Sequence, residues 1–340
     1  MRRRTLMAGA LTGVVLAQSG STAGSAAVSG LDRLLFEPAG PDAAPVTVSA
    51  LRTAVAKADA DFQAVRYQQL AHRLPQLVRT AEATRDAAAS PGATGAVATL
   101  LATVYTLATR LAVKLHEQGL AWSMADRAVQ AARACDDPRT LAVAHRTAAV
   151  VLRRSDHHDQ AQQIVIGAAT NLRDATRLAD AHDVSLYASM LATAAYAAAR
   201  ADRRDDAWTL AGEAGDALAS RQPSGFGAND LELYRSGIAR ALGDYGAAVE
   251  HARRVRIDLL PTPERRARYW EDAALAWMGR GRPAEAWIAL REAETAAPQE
   301  VLYRPWAQHL TATLLATERE ATLPGIRPFA ARIQAAGLPT

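Results

Sequence analysis

The chain has 340 residues, of which 49% are apolar and only 5% aromatic, with 39 basic against 35 acidic side chains for a net charge of +4. So mild an excess is far from that of a dedicated nucleic-acid binder, although it permits an anionic partner. The single cysteine, Cys135, excludes an intrachain disulfide and any multi-cysteine metal site, and beside Asp136 and Asp137 its thiolate is disfavoured.

The N-terminus reads two ways. Arg2, Arg3 and Arg4, the modestly apolar run to Ala17 and the small residues from Ala23 to Ala27 resemble a twin-arginine export signal. Against that, Thr12 and Gly13 interrupt the run and Gln18 to Ser21 is polar, as in a flexible cytoplasmic leader. Neither reading supplies the roughly 20 continuous apolar residues of a membrane span. Pro38 to Pro45 is a breaker-rich linker, which assigns 1–46 to the leader and 47–340 to a folded repeat domain.

Ser49 is placed to cap a first helix carrying Leu51, Ala54, Val55, Ala58 and Phe62 at three- and four-residue spacing. A second helix follows from Tyr67, and Pro75 within it predicts a kink or a shifted first turn. After Ser90 to Gly95 the pattern resumes as a long helix to about Leu115, then its partner to the stop at Asp136-Asp137-Pro138. Turns fall at 155–158, 202–205, 243–246 and 281–283, each followed by an alanine that opens a second helix. These alanines, Ala161, Ala207, Ala248 and Ala286, with Ala121 as the earlier equivalent, are separated by 40, 46, 41 and 38 residues. That is longer and less regular than the roughly 34 of a tetratricopeptide repeat. The last pair keeps the tetratricopeptide spacing best, with Trp270, Ala274, Trp277, Ala286, Leu290, Ala293 and Pro298 placing large residues against small ones. One such pair cannot bury its own apolar face. The expected fold is therefore all-α: a right-handed α-solenoid of about six degenerate tetratricopeptide-like pairs, closed by a capping segment from about Glu300 to Leu338.

The text 264–270, Gly279-Arg280-Gly281-Arg282, Ala284-Glu285-Ala286, Glu292-Ala293-Glu294 and 297–301 is similar to the C-terminal half of actinobacterial regulators of the xenobiotic-response-element helix-turn-helix class. Arg3-Arg4-Thr5-Leu6 resembles their linker. The sequence departs from the family in presenting no helix-turn-helix ahead of Arg2, so direct DNA binding is not carried over. The resemblance implies a cytoplasmic regulatory module that works through protein–protein interaction or ligand sensing, and it favours the leader reading over export.

No catalytic arrangement stands out. His157-His158 lies at a helix turn where polar residues are expected, and His116-Glu117 lacks a second histidine one turn on. No glycine-rich phosphate loop follows a strand. Neither a metal nor a cofactor is expected, and the chain is read as a binding protein, not an enzyme. Its informative residues lie on the first helix of each pair, which lines the concave face of a solenoid. Counting from the repeat starts puts Arg52, Arg110, Lys114, Arg146, Arg153, Arg154, Tyr196, Arg200, Arg240 and Arg268 there, opposed by Asp59, Asp230 and Glu271. Arg110, Lys114, Arg146, Arg153, Tyr196, Arg200 and Arg240 are the candidate ligand-binding set. A groove of one sign focuses field on an acidic peptide, a peptide C-terminus or a small anion; exposed pairs with neighbouring acids would make the same residues worth only about 0–1 kcal/mol each. Trp270, Trp277, Trp287 and Trp306 are spaced for core and cap packing, with Trp287 the one packing explains least and hence the candidate ligand wall. The aromatic C-terminal end also permits a homodimer.

Overall fold

The computed structural model describes residues 43–302, 304–317 and 322–334. The expected leader lies outside the described residues as far as 42, and both readings of the N-terminus lie there with it. The described residues form fifteen α-helices and one short 3-10 turn, Ile257–Leu259, with no strand among them. Twelve of the helices make six consecutive pairs: α1 (Val48–Gln63) with α2 (Tyr67–Asp86), α3 (Pro91–Lys114) with α4 (Gln118–Arg133), and α5 (Pro138–Arg154) with α6 (His158–Thr176). There follow α7 (Ala181–Arg200) with α8 (Arg204–Ser220), α9 (Ala228–Ala241) with α10 (Tyr245–Arg254), and α11 (Pro263–Gly279) with α12 (Pro283–Ala296). Three short helices, α13 (Pro298–Leu302), α14 (Pro305–Thr317) and α15 (Ile326–Gln334), complete the chain. The fold is an all-α helical solenoid.

Two local devices alternate along it. Within every pair, one residue in the left-handed region turns the chain: Val65, His116, Asp156, Asp202, Gly243 and Gly281. The next residue's N–H then donates to the carbonyl five residues back, from Arg66 to Asp61, Glu117 to Ala112, His157 to Leu152, Arg203 to Ala198, Asp244 to Ala239 and Arg282 to Trp277. This closes the helix end and aims the chain back along it. Between pairs the device is a side-chain cap: Thr47, Ser90, Asp137, Asp180 and Thr262 each accept from a first-turn N–H of the following helix. At α9 the cap is reversed, with Gly227 N–H donating to Asp230 Oδ2 at 3.1 Å. Pro75 lies inside α2, which runs as a single helix from Tyr67 to Asp86.

Each first helix packs on its partner and on the first helix of the next pair, so α1, α3, α5, α7, α9 and α11 form an inner layer. In α7 every residue from Ala192 to Ala199 is buried, and the run of alanines lets helices approach closely on all sides. The α3 stretch Gly92–Lys114 is long and apolar enough to cross a membrane, and 72% of its most apolar window is buried inside the fold.

The inner layer also meets itself. α11 packs against α1, and Ala267 and Ala297 belong to the same apolar core as α1 to α5. Tyr67 N–H donates to Gln299 Oε1 at 2.9 Å and its hydroxyl bonds the Glu300 carboxylate. Lys114, at the end of α3, reaches Glu264 at 2.7 Å and Glu300 at 2.5 Å. The expected open concave groove is thus a closed lumen ringed by six helices. At the far side Leu310, Leu314, Leu323, Ile326, Phe329 and Ile333 cover the apolar face of α12. Trp287 belongs to that cap: it is 4% exposed, meets Phe329 edge-on at 5.1 Å and donates to Pro324 O at 3.3 Å. Its candidacy as a ligand wall is corrected accordingly, because the cap, whose position the helix phase alone does not reveal, explains its packing fully.

Candidate functional site

The lumen holds a cavity of about 350 Å³ lined from all six of the inner helices. Asp137 caps α5 by accepting from the N–H groups of Arg139 and Thr140, which fixes the helix phase. That phase turns Val143, Arg146, Thr147, Val150, Arg153 and Arg154 inward at three- and four-residue spacing. Phe62, Arg110, Val113 and Lys114 come from α1 and α3, Tyr196 from α7, Leu233, Tyr234 and Gly237 from α9, and Glu264, Arg265, Arg268 and Asp272 from α11, with Arg304 entering from the cap.

Eight cations and two acids line this space, and most of the cations are compensated. Lys114 is held by Glu264 and Glu300, and Arg304 by Glu300 at 2.5 Å and Glu271 at 3.3 Å. Arg268 pairs with Asp272 at 2.9 Å, Arg265 with Asp230 at 3.4 Å and Arg110 with Asp59 at 3.4 Å, the last also lying 4.0 Å over the Phe62 ring. Burial pushes the Arg268 guanidinium down, but Asp272 and Glu271 outweigh it and hold it well above its ordinary value.

Three guanidiniums, all on α5, have no carboxylate partner among the described residues. Arg146 Nε donates to Thr193 Oγ1 at 3.1 Å and Ser189 O at 3.3 Å, and its Nη2 to Tyr234 Oη at 2.9 Å. Arg153 lies 4.4 Å over the Tyr196 ring, and its Nε is buried without any hydrogen-bond partner. Arg154 Nη2 meets only His116 Nδ1, at 3.3 Å. Burial pushes the Arg153 guanidinium down, and so does the neighbouring Arg268. The Arg154 side chain is exposed, yet desolvation by the surrounding protein, with Arg304 and Arg153 nearby, lowers it to about 10. The phenols respond in the opposite sense. Burial pushes Tyr196 up, but Arg240 and Arg268 more than offset it and bring it to about 8. Tyr234 reaches about 8 likewise, through Arg146 and Arg265.

Of the residues singled out in sequence, Arg110, Lys114, Arg146, Arg153 and Tyr196 line the cavity. Lys114 is neutralised there by two acids, so its part is ring closure. Arg240 stands behind Tyr196, donating to its hydroxyl at 3.0 Å and to Asp272 at 3.1 Å. Arg200 is not brought to the lumen: it ends α7 at the turn, where its side chain is exposed. Arg52 is likewise exposed on α1. The opposing acids were undercounted, since Glu264, Asp272 and Glu300 also face the cations. Sequence reasoning missed Tyr234, Arg265 and Arg304. The first two had a signal in their spacing, three residues from Gly237 and Arg268 on inner faces; Arg304 had none, because it arrives from beyond the repeats. Cys135 is half-buried with its Sγ donating to Ala132 O at 3.0 Å, and no cluster of three potential metal ligands occurs among the described residues.

No protein-family model and no curated protein sequence matches the chain. Among solved structures it is similar to BtubC (BKLC) from P. vanneervenii, at 16% identity and a TM-score of 0.38, covering 79% of this chain and 94% of that one.

Proposed function

We propose that this chain is a non-enzymatic binding module whose closed basic lumen captures an anion, either a small molecule or the acidic end of a peptide. The observation that carries this reading is the set Arg146, Arg153 and Arg154. A buried cation without a counter-charge is costly; Arg153 has a buried, unpartnered Nε, and the same helix carries Arg146 and the solvent-exposed Arg154, neither with a carboxylate partner among the described residues, so this wall is best accounted for by a partner that brings negative charge. Arginine's rigid fork suits carboxylate and phosphate acceptors. Among the described residues no nucleophile–base pair accompanies the cations, which favours capture over turnover. In the regulatory setting that the sequence resemblance implies, occupancy of the lumen would be passed to a protein partner in the cytoplasm, without direct contact between this chain and DNA.

The test is thermal unfolding of the full chain in potassium phosphate against potassium chloride at matched ionic strength. Stabilisation by phosphate that weakens as chloride is added, and that is lost in Arg146→Ala and Arg153→Ala, is the expected result. Equal midpoints in the two salts for the folded wild-type chain would remove the reading.

A further inference from the structure

The chemistry of the lumen goes further than its sign. At the C-terminal end of α5, Arg153 offers a whole guanidinium, Arg154 a second one engaged only with His116, and Tyr196 a hydroxyl. The Tyr196 oxygen already accepts from Arg240, so its own O–H is left to donate. A monoanionic carboxylate meeting this set would satisfy one fork and leave the second guanidinium without a counter-charge. A terminal phosphoryl group carries close to two charges near neutral pH and three acceptor oxygens, and it answers all three donors.

Between the charged groups the wall carries an apolar strip. Val113, Val143, Val150 and Leu233 face the same cavity, and Val143 is 38% exposed with nothing covering it. Val143 and Val150 lie on the same inward strip of α5 as Arg153, two turns apart, or about 10 Å along the axis. A cavity of about 350 Å³ is at the small end of the range for drug-sized ligands and too small for a folded domain or a helix. Resting on the anion-capture reading, we infer that the lumen is a site for a small organic phosphate monoester, with its phosphoryl group on Arg153, Arg154 and Tyr196 and its apolar body against Val150, Val143 and Leu233. Arg146, one turn before Val150 and tied to Tyr234, borders the body and favours an aromatic one, because a guanidinium stacks on ring faces.

Calorimetric titration of the full chain with four probes separates the contributions: phenyl phosphate, inorganic phosphate, benzoate and benzyl alcohol, at constant ionic strength and neutral pH. Phenyl phosphate is expected to bind about tenfold or more tighter than inorganic phosphate or benzoate, with benzyl alcohol silent. Arg153→Gln is expected to weaken phenyl phosphate by about tenfold or more and to bring it level with benzoate, Arg153→Lys to lose an intermediate factor, and the exposed Arg200→Gln to change nothing. Benzoate binding as well as phenyl phosphate would overturn the phosphoryl assignment, and inorganic phosphate binding as well would overturn the apolar one. In either case anion capture would stand. Silence of all three anions with a folded chain would overturn both.

Discussion

Arg153 sets stability against binding, and replacing it with methionine exposes the trade. The side chain keeps its stem volume, so packing against the Tyr196 ring is largely retained, while the charge that has no acceptor for its Nε disappears. Relief of an unpaired, desolvated cation is worth about 1–3 kcal/mol, and loss of the 4.4 Å contact with the Tyr196 face costs about 0.5–1 kcal/mol. The neighbouring Arg268 and Arg154 also lose a repulsive partner. The balance predicts an anion-free variant more stable by about 1 kcal/mol, or about 2 °C in unfolding midpoint. With anion in excess the order reverses, because a lost charge-assisted contact removes about 2 kcal/mol of binding free energy and binding adds to stability by mass action. Unfolding curves of both proteins, followed by helical circular dichroism with and without phenyl phosphate, should therefore cross. A variant less stable than wild type without anion, or one that gains as much from the anion, would refute the reasoning and make Arg153 an ordinary structural cation.

Glu300→Ala strips one counter-charge from each of Lys114 and Arg304 and removes the partner of the Tyr67 hydroxyl, so a loss of about 3–5 kcal/mol is expected in urea titration, and a loss below about 1 kcal/mol would deny that the ring is closed by this cluster. The same cluster makes the fold acid-labile: burial pushes the Glu271 carboxyl up, but Arg304 and Arg268 hold it down at about 2, so its stabilisation is complete above its ordinary value of 4.5 and is lost as pH falls from there toward 2. A stability profile flat across that interval would contradict the pairing. Asp202, exposed at φ 58°, occupies the turn position filled by Gly243 and Gly281 in later pairs, and Asp202→Gly should stabilise by about 0.5 kcal/mol whereas Gly281→Val should cost about 1–2 kcal/mol. Trp287→Ala should cost about 3–5 kcal/mol by emptying the cap while leaving anion affinity unchanged; weakened binding would restore it to the ligand wall.

The pairing of helices was legible because its causes are local. Apolar residues at three- and four-residue spacing set each buried face, and Asp156, Asp202, Gly243 and Gly281 are residue types that tolerate or favour the left-handed turn. Val65 carries no such signal, since a β-branched residue is poorly suited to that conformation; it is held there 5% exposed, where burial offsets the strain. Closure of the ring was not legible, because it rests on partners 150 and 233 residues apart, Lys114 with Glu264 and Tyr67 with Glu300, which no periodicity connects. That distinction also decides the site. Helix phase sufficed to turn Arg110, Lys114, Arg146 and Arg153 inward, but inward arginines mean little until their carboxylates are subtracted. Glu300 and Arg304 come from the segment after the repeats, and only with them in place does Lys114 become a strut rather than a ligand contact. What survives the subtraction is neither the net charge of +4 nor the count of inner cations; it is three guanidiniums on α5, two of them against the phenols Tyr234 and Tyr196, beside a strip of valines. A solenoid that needed basic residues only for solubility would leave them on its outer helices, where water compensates them at no cost to the fold.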